Sequence, residues 1–456
     1  MGAATLAELA ARSDRYRIKA LVLPGEINHP VVERWHGQPG VEFVWGDLRN
    51  PADVLKGVSG ADQVLHIGGM VSPAADHLPE LTMAVNVGGA QNIVDAIRAQ
   101  PHPDRIRLVY VGTVAQTGHR APPIHWGRTG DPIRISQFDS YAVSKTMAEA
   151  IIAGSGLKYW VSIRQTGIAH PGIVKIFDPI MFHSVLNAVM EWVTVEDSGR
   201  LAANLCEDDV PDCLWRGFYN IGGGQRMRVA NHEFASRLYE AIGIPDFRRV
   251  MEPKWFAARN FHGQWYADSD HLDRLVSFRR DTMDDFIARL ASSIPWWAKA
   301  GARLAQRQVR RRIERLAQGE GGPLYWLRHD QREYIDAYFG SRDEWASIPD
   351  WEGYELRRPS CEMTLLSHGF DPTKGPDQWD IDILKEAAEF RGGRCLGGWN
   401  GNPDDEAYWA CSEGHAFRMS PNLYLRGGHW CPACMLDPGS YRSVAKRNLF
   451  LAQVID

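Results

Sequence analysis

The sequence predicts an α/β chain: a doubly wound parallel sheet lacking its opening strand, a small region beside it, a helical stretch, and a small metal-binding module. Three observations predict this. Short β-branched runs alternate with helix-patterned stretches between Tyr16 and Ile221, at the spacing of strand–helix–strand units. Tyr141 and Lys145, four residues apart, lie at the start of an apolar-periodic helix. Cys411, His415, Cys431 and Cys434 form two short pairs near the C-terminus.

The 456 residues exceed one typical core, so two or three domains are expected. Hydrophobic content of 44% with 23% charged residues is that of an ordinary globular chain, and a net charge of −5 gives no global attraction to polyanions. Four of the seven cysteines fall at or after Cys395, which argues for a metal site in a reducing compartment rather than a disulfide framework. No apolar run reaches the length of a membrane span and no export signal is visible, so the expected address is the cytoplasm.

Taken in order, Ala3 to Ala11 reads as a helix and Tyr16 to Leu23 as the strand after it. A dinucleotide-binding sheet needs a strand and a glycine-rich turn before that helix, and only Met1-Gly2 stand there. The expectation is therefore a chain truncated at its start. Val41 to Trp45 and Ala61 to Ile67 are further strands, with His66 a core residue. Asn86 opens a helix running to Ala99, Arg107 to Thr113 is a buried strand, and Leu157 to Arg164 another.

The chemistry centres on Tyr141. In a helix the phenol and the Lys145 ammonium, at i and i+4, can point into one site, and a nearby cation favours the phenolate. The set Thr113, Tyr141 and Lys145, with Arg107-Leu108-Val109-Tyr110-Val111-Gly112-Thr113 and Ser140-Tyr141-Ala142-Val143-Ser144-Lys145, resembles the extended short-chain dehydrogenase/reductase family, also called the NAD-dependent epimerase/dehydratase family. The resemblance implies a Rossmann-like fold, Thr113, Tyr141 and Lys145 as the catalytic set, and a cofactor site. Its members would be Gly2 as the last glycine of the phosphate turn, Asp47 and Leu48 at the adenine, Gly68 and Gly69 where backbone passes close to the cofactor, and Tyr141 with Lys145 at the nicotinamide ribose. Asn86-Val87-Gly88-Gly89 and Tyr219-Asn220-Ile221-Gly222-Gly223-Gly224 match further family motifs. Gln165 and Thr194 depart from the usual proline and histidine. Glu26, with no basic residue beside it after the second strand, favours NAD over NADP, which stays open.

The resemblance covers residues 1–276. Residues 277–375 carry a basic helix with Lys299, Arg303, Arg307, Arg310, Arg311, Arg312 and Arg315, and with Trp297, Ala305, Val309, Ile313 and Leu316 on one face. It reads as a solvated helix packed on its own domain; an anionic membrane surface or nucleic acid is the alternative. Residues 376–456 form the third unit. Three thiolates and one imidazole suit a tetrahedral Zn²⁺, and four protein ligands leave no open position, so the zinc would be structural. Its surroundings resemble a zinc-ribbon or treble-clef module, in which Cys395 is a packing residue, and His429 is expected to be exposed.

Two functions follow. One is an NAD(P)-dependent oxidoreductase or epimerase acting on a hydroxyl or carbonyl of a sugar-nucleotide or another small alcohol or ketone. The other is an inactive cofactor-sensing or scaffold protein whose zinc module contacts a partner or nucleic acid. The family resemblance also implies a homodimer formed through helices near 80–99 and 139–155.

Overall fold

The structure, a computed structural model, describes residues 1–455. Six parallel strands form two ladders: β1 (Ile18–Val22) beside β2 (Val41–Trp45), and β3 (Gln63–His66), β4 (Arg107–Thr113), β5 (Tyr159–Gln165) and β6 (Gly217–Ile221) in the order β6-β5-β4-β3. Ile18 faces Val41, Gln63 faces Arg107, Arg107 also faces Tyr159, and Val161 faces Gly217. Among the described residues no strand pairs with the free edges of β1 and β3, as expected of a doubly wound sheet without its opening strand. Side chains bridge the two ladders instead: Ile18 and Leu65 pack on one cluster with Leu9, Ala203 and Cys206.

The sequence explains these elements. Val109, Val161 and Ile163 are fully buried, as strands covered on both faces require. The helix Gly2–Ala10 lies against the helix Val195–Asn204 so closely that a Cβ at Gly199 would stand 2.6 Å from the Ala4 Cβ. Only glycine permits that approach.

The C-terminal stretch packs into the same core as the sheet. Ile93, Ile97, Leu108, Ala148, Ile152, Trp160 and Phe218 share one hydrophobic cluster with Ile383, Leu384, Trp409, Leu423, Tyr424 and Trp430. Strands β7 (Arg394–Gly397), β8 (Ala407–Ala410) and β9 (Ala416–Met419) form its antiparallel sheet, with Trp409 fully buried.

Two local expectations change. The basic helix is two helices, Trp296–Leu304 and Gln306–Ala317, joined at Ala305. Ile313 and Ala317 are buried against Phe182, Leu186 and Phe247, whereas Trp297 is 65% exposed, so no continuous apolar face runs from Trp297 to Leu316. His429 is fully buried, because a carboxylate 280 residues earlier in the chain receives it.

Candidate active site and metal centre

Thr113 closes β4 at the carboxyl end of the sheet, where ligands of open α/β sheets bind. Its hydroxyl accepts the Ala115 N–H at 3.2 Å, and the Gln116 side chain accepts the Thr113 N–H at 3.2 Å, so the strand turns into a capped loop. Tyr141 and Lys145 stand one turn apart in the helix Ser140–Ala153, whose N-cap Asp139 accepts the Ala142 N–H at 2.7 Å. The Thr113 hydroxyl lies close enough to the Tyr141 phenol to lower its pKa. The three sequence-predicted catalytic residues are thus gathered at one strand end.

Their electrostatics differ from the expectation. Burial pushes the Tyr141 phenol up to about 12; the Thr113 hydroxyl pulls it down, and Asp139 and Asp76 push it further up. Lys145 does not lower it here. The Lys145 Nζ sits 4.3 Å from the centre of the Tyr110 ring, and burial brings that ammonium down to about 7, opposed by Glu149. The Tyr110 hydroxyl donates to the Lys145 carbonyl at 2.9 Å, fixing the helix on β4. Asp139 itself is raised to about 7, first by burial and then by Asp76, against the Ala142 N–H. This carboxylate pair beside the phenol was not read from the sequence, since Asp76 lies in a separate short helix, Ala74–His77.

The remaining cofactor candidates fall in three places. Gly68 and Gly69 follow β3. A Cβ at Gly68 would meet the Leu48 side chain at 3.5 Å, and one at Gly69 would meet the Asn86 Oδ1 at 2.8 Å. Asn86 spans this corner: its Oδ1 accepts the Met70 N–H at 2.8 Å, and its Nδ2 donates to the Met70 carbonyl at 3.0 Å and to the Ser144 Oγ at 2.9 Å. The β3 loop is thereby tied to the Tyr141 helix. Asp47 lies beside Leu48 at the end of β2 and is held below the usual carboxylate range by hydrogen bonds from Arg49. Gly2 begins the first helix, and a Cβ there would lie 3.9 Å from the Ile67 side chain. The small residues after β3 and the helix start at Gly2 lie at the end of the sheet where ligands of open α/β sheets bind, and both amide atoms of Asn86 are engaged within the chain.

A second buried network lies one turn beyond Lys145. The Glu149 carboxylate accepts from the Ser162 Oγ at 2.6 Å, the Arg164 Nε at 3.0 Å and Nη2 at 2.6 Å, and the Gln116 Nε2 at 2.9 Å. The His429 Nε2 lies 2.8 Å from the same carboxylate. Burial alone would raise Glu149, but Arg164 and then His429 hold it well below the usual range. Arg164 also donates to the Gly427 carbonyl at 2.6 Å. The continuation of the Tyr141 and Lys145 stripe to position 149 was the available signal for this network.

The Cys411, His415, Cys431 and Cys434 ligand atoms all lie within 4.8 Å of one another. The His415 Nδ1 is 3.4 Å from Cys411 Sγ, 3.5 Å from Cys431 Sγ and 3.4 Å from Cys434 Sγ, and Cys411 and Cys434 are 3.9 Å apart. With Zn–S about 2.3 Å and Zn–N about 2.0 Å, a tetrahedral ion needs donor separations of roughly 3.5–3.8 Å. The cluster could hold a metal. Burial, reinforced by the neighbouring cysteines, raises the Cys434 thiol well above its ordinary value.

Residues 2–171 match the NAD dependent epimerase/dehydratase family. The chain is 31% identical over 155 residues to 3beta-hydroxysteroid-dehydrogenase/decarboxylase isoform 1 of Arabidopsis thaliana, covering 32% of each chain. It is 27% identical over 249 residues to short-chain dehydrogenase/reductase family 42E member 1 of Danio rerio, covering 48% of this chain and 62% of that one. The match thus spans about a third of the first of these relatives. Among solved structures, dTDP-glucose 4,6-dehydratase from Streptomyces venezuelae, with NAD bound, superposes with a TM-score of 0.52 at 20% identity, over 66% of this chain and 94% of that one. That likeness is one of fold.

Proposed function

We propose, from the match of residues 2–171 to the NAD dependent epimerase/dehydratase family, that the chain is an NAD-dependent oxidoreductase or epimerase acting on a hydroxyl or carbonyl group of a small molecule. The observation that carries this reading is the placement of Tyr141 beside Thr113 at the end of β4, with Lys145 one turn away. A phenol raised to about 12 is protonated at neutral pH, so Tyr141 is set to donate a proton to a carbonyl oxygen, and to take one back in the reverse direction. Thr113 hydrogen-bonds the same oxygen and orients it. Bound at the strand ends, NAD would accept or deliver the hydride.

Asp47 and Leu48 would hold the adenine side, Gly68 and Gly69 would let backbone approach, Gly2 would start the helix facing the pyrophosphate, and Lys145 would hold the nicotinamide ribose. Such a contact would draw the Lys145 ammonium off the Tyr110 ring and toward the phenol, and so lower the Tyr141 pKa. The substrate is a secondary alcohol or the matching ketone. The named hydroxysteroid relatives support a lipophilic one and the fold neighbours a sugar-nucleotide. The four-ligand cluster is proposed as a structural zinc site in a reducing, cytoplasmic setting.

Calorimetric titration with NAD⁺ and NADP⁺ tests the reading. Saturable binding, tighter for NAD⁺, is expected, and the absence of binding to either would overturn it.

A further inference from the structure

The helix Trp296–Leu304 is amphipathic in the inverted sense. It docks on the protein through its small residues and its backbone: Ala302 packs on the cluster around Phe182, and a Cβ at Gly243 would stand 2.4 Å from the Lys299 carbonyl oxygen. Its large apolar side chains point the other way. Trp296 is 79% exposed, Trp297 65% and Leu304 88%, and no residue of the helix is buried. At 100° per residue, Trp296, Trp297, Ala300 and Leu304 fall within one sector, with Arg303 at its margin. Isolated exposed apolar residues are ordinary, but two tryptophans and a leucine gathered on one face form a patch that water does not favour.

Charge selects the occupant. Residues 296–317 carry seven basic side chains against the single acid Glu314, a local +6 in a chain whose net charge is −5. Of these, Arg310 is engaged with Glu252, whereas Arg303, Arg307, Arg311 and Arg315 are exposed. We infer that the helix Trp296–Leu304 and the basic start of the next helix form a docking surface for an anionic lipid bilayer. Tryptophan rings settle at the level of lipid headgroups, and exposed guanidinium groups are drawn to acidic headgroups. Nine residues are too few to cross a bilayer, and among the described residues no helix is long and apolar enough to do so, so the contact is one of lying on the surface.

The test is co-sedimentation of the full chain with vesicles of phosphatidylcholine alone and of phosphatidylcholine with 30% phosphatidylglycerol, at low and high salt. Binding to the anionic vesicles only, weakened by salt, is expected, with a loss of about tenfold or more in both Trp296→Ala/Trp297→Ala/Leu304→Ser and Arg303→Glu/Arg307→Glu/Arg311→Glu. These side chains are exposed, and unchanged circular dichroism would show that the variants remain folded. Absence of binding, equal binding to both vesicle types, or variants that bind like the parent would overturn the inference. So would a dimer in light scattering that the tryptophan variant abolishes, since a second copy would then be the cover.

Discussion

At the residue scale the site turns on how burial sets three proton affinities. Tyr141 is raised to about 12, Asp139 is raised to about 7, and Lys145 is lowered to about 7. Each shift has burial as its largest cause, so the pocket penalises charge of either sign. Asp139 and Asp76 add like-charge repulsion to the phenolate, so removing the Asp139 charge makes the phenolate easier to form. Asp139→Asn should shift the alkaline limb of the kcat/KM profile downward by up to about one pH unit, since one unit corresponds to about 1.4 kcal/mol. The amide oxygen keeps the cap on Ala142. A pH–rate profile identical to the parent's would show that Asp139 does not face the reacting proton. Tyr141 and Lys145 were singled out in the sequence by their i, i+4 spacing, and Thr113 by the family resemblance. The Asp76–Asp139 pair was not, because nothing in a helix pattern says which segment folds over its N-terminus.

At the scale of elements, the helix Ser140–Ala153 is held from both sides. Asn86 ties it to the β3 loop through Ser144, and Glu149 ties it to β5 through Ser162 and Arg164, and to the C-terminal module through His429. Glu149 also receives Gln116, which caps Thr113, so one carboxylate joins the strand end, the helix and the module. Glu149→Gln leaves Arg164 buried without its counter-charge and should cost about 3–5 kcal/mol in denaturant unfolding; a loss below ~1 kcal/mol would contradict this account of the network. His429 lies two residues before Cys431, so on the proposed zinc site a chelator should loosen the Glu149 contact. Turnover should then fall although no ligand touches Tyr141, and zinc added back should restore it. The clustering of Cys411, His415, Cys431 and Cys434 was readable from spacing alone. The role of His429 was not, since its partner lies in another element and an exposed position was the local expectation.

At the scale of the whole molecule, the C-terminal module belongs to the main core. Trp409, Leu423 and Trp430 share a cluster with Ile97, Ala148 and Ile152, and Ala142 packs with Met435. On the helix Ser140–Ala153, Ala142 and Glu149 are seven residues apart on one face, and both meet the module. A homodimer through that face, as the family resemblance implies, would need the module displaced. Deleting residues 376–456 would uncover this apolar area and strand the Glu149–Arg164 pair. The shortened chain should be recovered only in aggregates, whereas a soluble one with parental thermal stability would show the module to be an appendage. The parallel sheet was legible at this scale from alternating strand and helix patterns. The burial of the module against it was not, because its apolar residues carry no mark of which partner they cover.

The most direct measurement of the central claim is turnover by the full chain and by Tyr141→Phe, read as NADH formation with secondary alcohols including sterols and as product isomerisation with sugar-nucleotides, with NAD⁺ binding measured in parallel. The account expects turnover in the parent, a loss of about 10²-fold or more in the variant, and NAD⁺ binding retained in both. A variant as active as the parent, or a parent that binds NAD⁺ without transferring hydride from any alcohol class, would contradict it.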